Sequence, residues 1–191
     1  MTFHSQHRED RWIVANLRLP DTGVFVEVGA HDGIELSNTY YFEQCGWTGL
    51  VIEPNPDVQK ALHRNRKCAI MDCAIGNPDE PKPYFVHPIS AWSGFNRRGR
   101  QVGVTVKRLD TALMEVGITR IDLLSLDTEG SELEIWHTFD HRRWNPRIVI
   151  VEFSTAGLPS AEEETKRVLK TCEYQLVHRT NCNLIFWNAR Q

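Results

Sequence analysis

No apolar run in this chain approaches the ~20 residues that a membrane-spanning helix needs; stretches such as Ile148 to Val151 are a fraction of that length. Cysteine is sparse and unpatterned. The five residues Cys45, Cys68, Cys73, Cys172 and Cys182 are odd in number and form no C-x-x-C pair, which argues against a disulfide framework or a cysteine zinc site. They read as reduced packing residues. Neither sign of charge dominates: 22 Lys and Arg face 25 Asp and Glu, a net charge of −3 at pH 7. No global field therefore draws the chain to nucleic acid or to anionic lipid, and any basic binding surface is local. Residues 1–10 are polar and lack the apolar core of a secretory signal. The expected setting is cytoplasmic.

A length of 191 residues, 41% hydrophobic, suits one domain over 1–191 with a sizeable core. Within it, 1–20 reads as an N-terminal extension or helix. Val- and Ile-rich runs at 23–28 and 49–53 lie about one βαβ unit apart, with a helix-length segment at 36–45 between them. A helix at 57–65, marked by Val58, Ala61 and Leu62, leads to a third strand at 68–74. From 77 to 103 the pattern is broken by Pro78, Pro81, Pro83, Pro88, Gly94 and Gly99, so an irregular, substrate-side loop with one short strand at 84–87 is expected. A strand or lead-in at 102–109 follows, then a helix at 111–116 capped by Asp110, and a buried strand at 121–126. Ser131-x-x-Glu134 resembles a capping box opening a helix at 131–139. A buried strand at 147–153 and an antiparallel hairpin from 174–178 and 183–186 complete the pattern. The fold class is α/β: a mostly parallel central sheet with helices on both faces and a C-terminal hairpin at the sheet edge. Ligands of such sheets sit beyond the carboxyl ends of the strands, at the switch point.

After the first strand comes Glu27-Val28-Gly29-Ala30-His31-Asp32-Gly33, where two glycines allow a tight turn and close approach of a ligand to the backbone. The dinucleotide fingerprint G-x-G-x-x-G is missing, since His31 stands where its second glycine would fall, and NAD is disfavoured. Glu27 at the strand end suits a cationic ligand, an ammonium or sulfonium, and would repel a pyrophosphate. S-adenosylmethionine (SAM) fits. The second strand ends in Glu53-Pro54, about twenty residues beyond Gly33, where a carboxylate meets ribose hydroxyls. Asp72 and Cys73 at the third strand's end offer groups to an adenine edge. Asp127, ending the fourth strand in Asp127-Thr128-Glu129-Gly130-Ser131-Glu132, lies beside the proposed cofactor, where it orients a substrate hydroxyl or acts as general base. Glu152, from the fifth strand, shares that rim, and Asp127 with Glu152 forms a candidate pair for a divalent metal such as Mg²⁺. In the 77–103 loop, Trp92 with Arg97 and Arg98 forms a candidate substrate surface that stacks a sugar or base and holds a phosphate.

Taken together, the Phe25–Gly33 segment, Ser37-Asn38-Thr39 with Phe42-Glu43, Gly46-Trp47-Thr48-Gly49 running into Ile52-Glu53-Pro54-Asn55-Pro56, Leu109-Asp110, and the run from Ile121 to Glu132 resemble the FkbM-type SAM-dependent methyltransferases. The resemblance covers most of the chain. It implies a Rossmann-like class I methyltransferase sheet and, as the usual reaction, O-methylation of sugar or polyketide hydroxyls. It also implies that Glu27, Gly29 and Gly33 form the first cofactor loop, with His31 where the family commonly has Asn. Glu53 would then bind the ribose, and Ser37 and Asn38 would lie near the methionine end of SAM. Asp127 belongs to the D-x-E-G segment. The expected acceptor is a small molecule, glycan or nucleotide sugar. RNA is less favoured because no Lys-Asp-Lys-Glu set can be assembled, and a non-catalytic SAM-binding module is the main alternative. The chain leaves little room for an acceptor pocket beyond the 77–103 loop, which a homodimer would complete.

Overall fold

Runs of Val, Ile and Leu long enough to be buried on both faces supply the parallel strands, and amphipathic segments between them supply the cover. The computed structural model describes residues 2–80, 82–95 and 97–188; Pro81, in the proline-broken loop, lies outside them. The elements are α1 (Glu9–Asn16), β1 (Val24–Val28), α2 (Tyr40–Gln44), β2 (Thr48–Ile52), α3 (Pro56–Asn65), β3 (Ala69–Met71), β4 (Ala74–Ile75), β5 (Tyr84–Val86), a 3₁₀ turn (Ser90–Trp92), β6 (Arg100–Val102), β7 (Val106–Lys107), α4 (Leu109–Glu115), β8 (Leu123–Leu126), α5 (Glu132–Thr138), α6 (His141–Trp144), β9 (Ile148–Glu152), α7 (Glu162–Thr171), β10 (Tyr174–Arg179) and β11 (Asn183–Asn188).

The central sheet has the order β10-β11-β9-β8-β1-β2-β3. Strands β3, β2, β1, β8 and β9 are parallel, and β11 runs antiparallel between β9 and β10. The chain first builds outward from β1 through β2 to β3, then crosses to the other side of β1 to lay down β8, so the switch point lies between β1 and β8. Apolar cores fill both faces of the sheet. A smaller cluster of Ala74, Tyr84, Val86 and Phe95 lies under the 77–103 excursion. No helix of the described residues is long and apolar enough to cross a membrane.

Four local expectations change. The segment 36–45 is helical only over α2; Leu36 takes a left-handed φ of 62°, and Ser37, Asn38 and Thr39 fold around the carboxylate of Glu27. The third strand leaves the main sheet after Met71, and β4 pairs instead with β7. Asp110 sits inside α4, behind Arg108 at the cap position, and accepts from Trp144 Nε1 at 2.7 Å. Ser131 makes no side-chain cap. Glu132 instead ties down the loop before the helix by accepting from Thr128 N, Thr128 Oγ1 and Gly130 N at 2.7, 2.9 and 3.1 Å, while Glu134 pairs with Lys82. Helix α7 was not anticipated, although Glu162, Glu163 and Glu164 in its first turn and buried Thr165, Val168 and Leu169 carry its signal.

Glu27, 3% exposed at the end of a central strand, is the most constrained charge in the fold. Its carboxylate accepts from Ser37 Oγ at 2.8 Å, Asn38 N at 2.7 Å and Thr39 Oγ1 at 2.6 Å. Arg66, just past the end of α3, completes the shell at 3.1 Å from Glu27 and reaches Glu43 at 2.6 Å. Removing one partner of such a pair strands the other charge in a dry site, at a cost of about 3–5 kcal/mol. Arg66→Met is therefore expected to lower the melting temperature sharply. Adding Glu27→Gln to it should recover part of the loss, since the stranded charge is gone; thermal unfolding of the two single variants and the double variant measures this.

Candidate active site

Beyond the carboxyl ends of β1, β2, β8 and β9 lies a cavity of about 280 Å³. Because the sheet order places β2 on one side of β1 and β8, β9 and β11 on the other, the cavity has two halves. One is lined by Glu53, Pro54, Cys73, Ala74, Ile75 and Tyr84, with Trp92 and Phe95 from the excursion. The other is lined by Asp127, Thr128, Glu129, Glu152, Ser154 and Cys182, with Gln6 from the N-terminal segment. Gly29 sits between the halves at a φ of 88°, and a Cβ there would lie 1.7 Å from the Asp127 carbonyl oxygen. Only glycine permits that crossing of the β1 and β8 loops.

The first loop is tied to β2. His31, at a left-handed φ of 49°, donates its backbone N–H to Glu53 Oε2 at 2.8 Å, and its ring Nε2 lies 2.8 Å from Ser90 Oγ. Glu53 also accepts from Asn55 N at 2.8 Å. Burial pushes its carboxyl up to about 7, against those two N–H bonds, which pull it down. Glu53 is thus a buried acceptor facing the cavity whose charge is set near neutral pH.

On the opposite half, Asp127 and Glu152 end neighbouring strands and hydrogen-bond to each other. Burial raises the proton affinity of both carboxyls, and mutual repulsion with Glu129 and Glu132 adds to it. Thr155 Oγ1 donates to Glu152 Oε2 at 3.0 Å. Glu129, at a φ of 62°, is pushed up to about 7 by burial, opposed by its ion pair with Arg97. Carboxylate oxygens of Asp127, Glu129 and Glu152 come within 4.8 Å of one another. A divalent cation there would compete with the Arg97 guanidinium, which is already paired with Glu129.

Of the residues singled out in the sequence, Glu27, Gly29, His31, Ser37, Glu53, Cys73, Trp92, Asp127 and Glu152 meet in the cavity lining. Others stand elsewhere. Gly33 packs against Leu62 and Arg66, behind the first loop. Asn38 is buried and donates Nδ2 to Ser125 Oγ at 3.0 Å. Asp72 turns outward to His63 at 2.9 Å, so it offers nothing to an adenine edge. Arg97 is fastened to Glu129, to Ala156 O at 2.6 Å and to Trp92 O at 3.1 Å, while Arg98 is exposed and outside the lining. Neither arginine is placed to hold a substrate phosphate. Glu27 faces the cavity with its charge already answered by Arg66 and three other donors, so it is a structural acid and not a free counter-ion for a sulfonium. Sequence reasoning missed Gln6, Ser154 and Cys182. Only the packing of the chain's two ends brings Gln6 Oε1 and Cys182 Sγ to 3.2 Å, and no local pattern signals that.

Residues 27–176 match the model of the methyltransferase FkbM domain. The chain belongs to that family. It is a SAM-dependent methyltransferase by membership, and known folds agree. The M. capricolum TrmK structure, in complex with its natural cofactor product S-adenosylhomocysteine, is similar at 9% identity and a TM-score of 0.54, over 98% of this chain and 70% of that one. A TehB-like SAM-dependent methyltransferase from Corynebacterium glutamicum is similar at 13% identity and a TM-score of 0.51, over 94% and 86%. A precorrin-6y C5,15-methyltransferase from Geobacter metallireducens is similar at 14% identity and a TM-score of 0.51, over 94% and 87%. At these identities the likeness is one of fold. Among curated proteins no sequence matches significantly.

The raised proton affinity of Asp127 and Glu152 predicts that infrared spectroscopy at neutral pH shows the carbonyl stretch of buried protonated carboxyls, and that this band is weaker in the Asp127→Asn/Glu152→Gln double variant, where Glu53 and Glu129 still contribute.

Proposed function

We propose that this protein transfers the methyl group of SAM to a hydroxyl of a small-molecule or glycan acceptor, with Asp127 as general base. The observation that carries this is the two-sided cavity. A buried hydroxyl acceptor, Glu53, lies on the β2 side, and a carboxyl pair of raised proton affinity lies across Gly29 on the β8–β9 side. SAM supplies an activated methyl, so the protein's task is to align the acceptor oxygen with it and remove a proton.

Glu53 holds the ribose hydroxyls, which donate to its carboxylate. Gly29 lets the methionine portion pass close to the backbone, and His31 fixes the loop through Glu53 and Ser90. Asp127 accepts the acceptor's hydroxyl proton, with Glu152 and its Thr155 hydrogen bond holding the aspartate in place. The raised proton affinity of the Asp127 carboxyl, caused by desolvation and its acidic neighbours, supports this role, since such a carboxyl takes up a proton more readily than an exposed aspartate does. This reading assigns no step to a metal.

Two predictions test these roles. Glu53→Ala removes a hydrogen bond to a charged acceptor, worth about 1.5–3 kcal/mol, and should weaken S-adenosylhomocysteine binding by roughly 10- to 100-fold. In the wild type, ribose hydroxyls favour the ionised Glu53, so affinity should fall as pH drops through about 7, and that pH dependence should vanish in the variant. Calorimetry over a pH series measures both. Asp127→Asn should keep cofactor affinity while methyl transfer falls by about 10²–10⁴-fold, the usual contribution of a general base. Because the base must be ionised to act, wild-type turnover should climb with pH through the neutral range; equal loss of binding and turnover in Asp127→Asn would refute the assignment.

A further inference from the structure

Six carboxylates line the cavity, Glu27, Glu35, Glu53, Asp127, Glu129 and Glu152, and among the described residues no Lys or Arg does. The nearest guanidiniums are engaged. Arg66 is held by Glu27 and Glu43. Arg97 uses Nε on the Trp92 carbonyl and its terminal nitrogens on Ala156 O and Glu129. Of the other cations of the excursion and its flank, Lys82 pairs with Glu134, Arg100 with Asp57, Lys107 with Glu115 and Arg108 with Asp79, and Arg98 is exposed outside the lining.

Backbone donors are equally committed. In a phosphate-binding turn, the free N–H groups after a strand point at the anion. Here Gly29 N and Ala30 N bond to Ile52 O at 2.9 and 3.1 Å. His31 N bonds to Glu53 at 2.8 Å, and Ile34 N and Glu35 N share Asp32 Oδ1, each at 2.8 Å. After β8, Thr128 N and Gly130 N are both taken by Glu132. An anion in this cavity would therefore meet carboxylates on both halves, with no cationic side chain in the lining and these loop amides already bonded. A positive group would meet the same carboxylates and the face of Trp92, which lines the cavity and is 38% exposed.

We infer that the cavity selects its ligands by charge and that the methyl acceptor carries no phosphate, sulfate or carboxylate: it is a neutral hydroxyl compound or one bearing a protonated amine, and not a nucleotide sugar or an RNA. The inference deepens the SAM reading and rests on it.

The test uses the full chain and adenosines differing only in 5′ charge: 5′-amino-5′-deoxyadenosine, adenosine and adenosine 5′-monophosphate, compared by calorimetry at low and high salt. The expected order is amine, then adenosine, then monophosphate, with at least a tenfold gap between the ends that narrows in high salt and in the Glu129→Gln variant. A monophosphate that binds as tightly as adenosine, or more tightly, overturns the inference while leaving the SAM reading intact. If neither S-adenosylhomocysteine nor adenosine binds, the SAM reading fails and this inference falls with it. On the acceptor half, glucosamine and glucose 6-phosphate are titrated into the S-adenosylhomocysteine-loaded protein while the backbone amides of Glu129, Ser154 and Ala156 are followed by NMR. Shifts produced by glucosamine support the inference, and larger shifts from glucose 6-phosphate contradict it.

Discussion

A single buried carboxylate dictates the shape of everything around the first strand. Glu27 lies near the end of a strand with neighbours on both sides, Val51 on β2 and Ser125 on β8, and is almost wholly buried. An ionised group in that position must be matched by donors and a counter-charge. Ser37, Asn38 and Thr39 provide the donors, which is why that stretch coils around the carboxylate and helix begins only at Tyr40. Arg66 provides the charge, which fixes where α3 ends and how Glu43 of α2 is turned. The guanidinium also lies 5.2 Å from the Phe25 ring and 5.6 Å from the Tyr40 ring. The first loop, the first helical turn and the end of α3 are thus one electrostatic unit, and Gly29, His31 and Glu53 take their positions from it.

The second organising feature is the concentration of acids on β8 and β9. Three of them, Asp127, Glu129 and Glu152, are raised in proton affinity. Arg97 pairs with Glu129, Thr155 donates to Glu152, and the neighbouring Glu132 is engaged by the amides of the loop before its helix. Such crowding is costly for stability, and it is tolerated where the raised proton affinity serves chemistry.

How much of this was legible follows physical lines. The parallel strands and the hairpin could be read because continuous apolar runs have few alternatives to burial in a sheet, and the strand ends then located Glu53, Asp127 and Glu152 on one rim. The roles of single side chains were less legible. Glu27 looked like a free counter-ion because its partner Arg66 lies 39 residues away in sequence, and nothing local announces the pairing. Asp72 looked like an adenine contact until the chain was seen to leave the sheet beside it, turning its carboxylate to His63. Arg97 looked like a phosphate ligand for the same reason: a basic loop residue advertises its charge, whereas the acid that claims it, Glu129, comes from a distant strand end. For Glu27 and Arg97 the partner lies 39 and 32 residues away, and for Asp72 it lies nine residues away on the preceding helix.

One side of the cavity brings together segments far apart in the sequence. Gln6 meets Cys182 across 176 positions, and Asn183 donates to the buried Glu9 across 174. Ser5 adds a short bridge to Leu36 on the first loop. The parallel strands and the first loop pair without these contacts, so a chain cut before residue 182 would keep much of its sheet while losing Cys182 and its bond to Gln6 from the cavity lining.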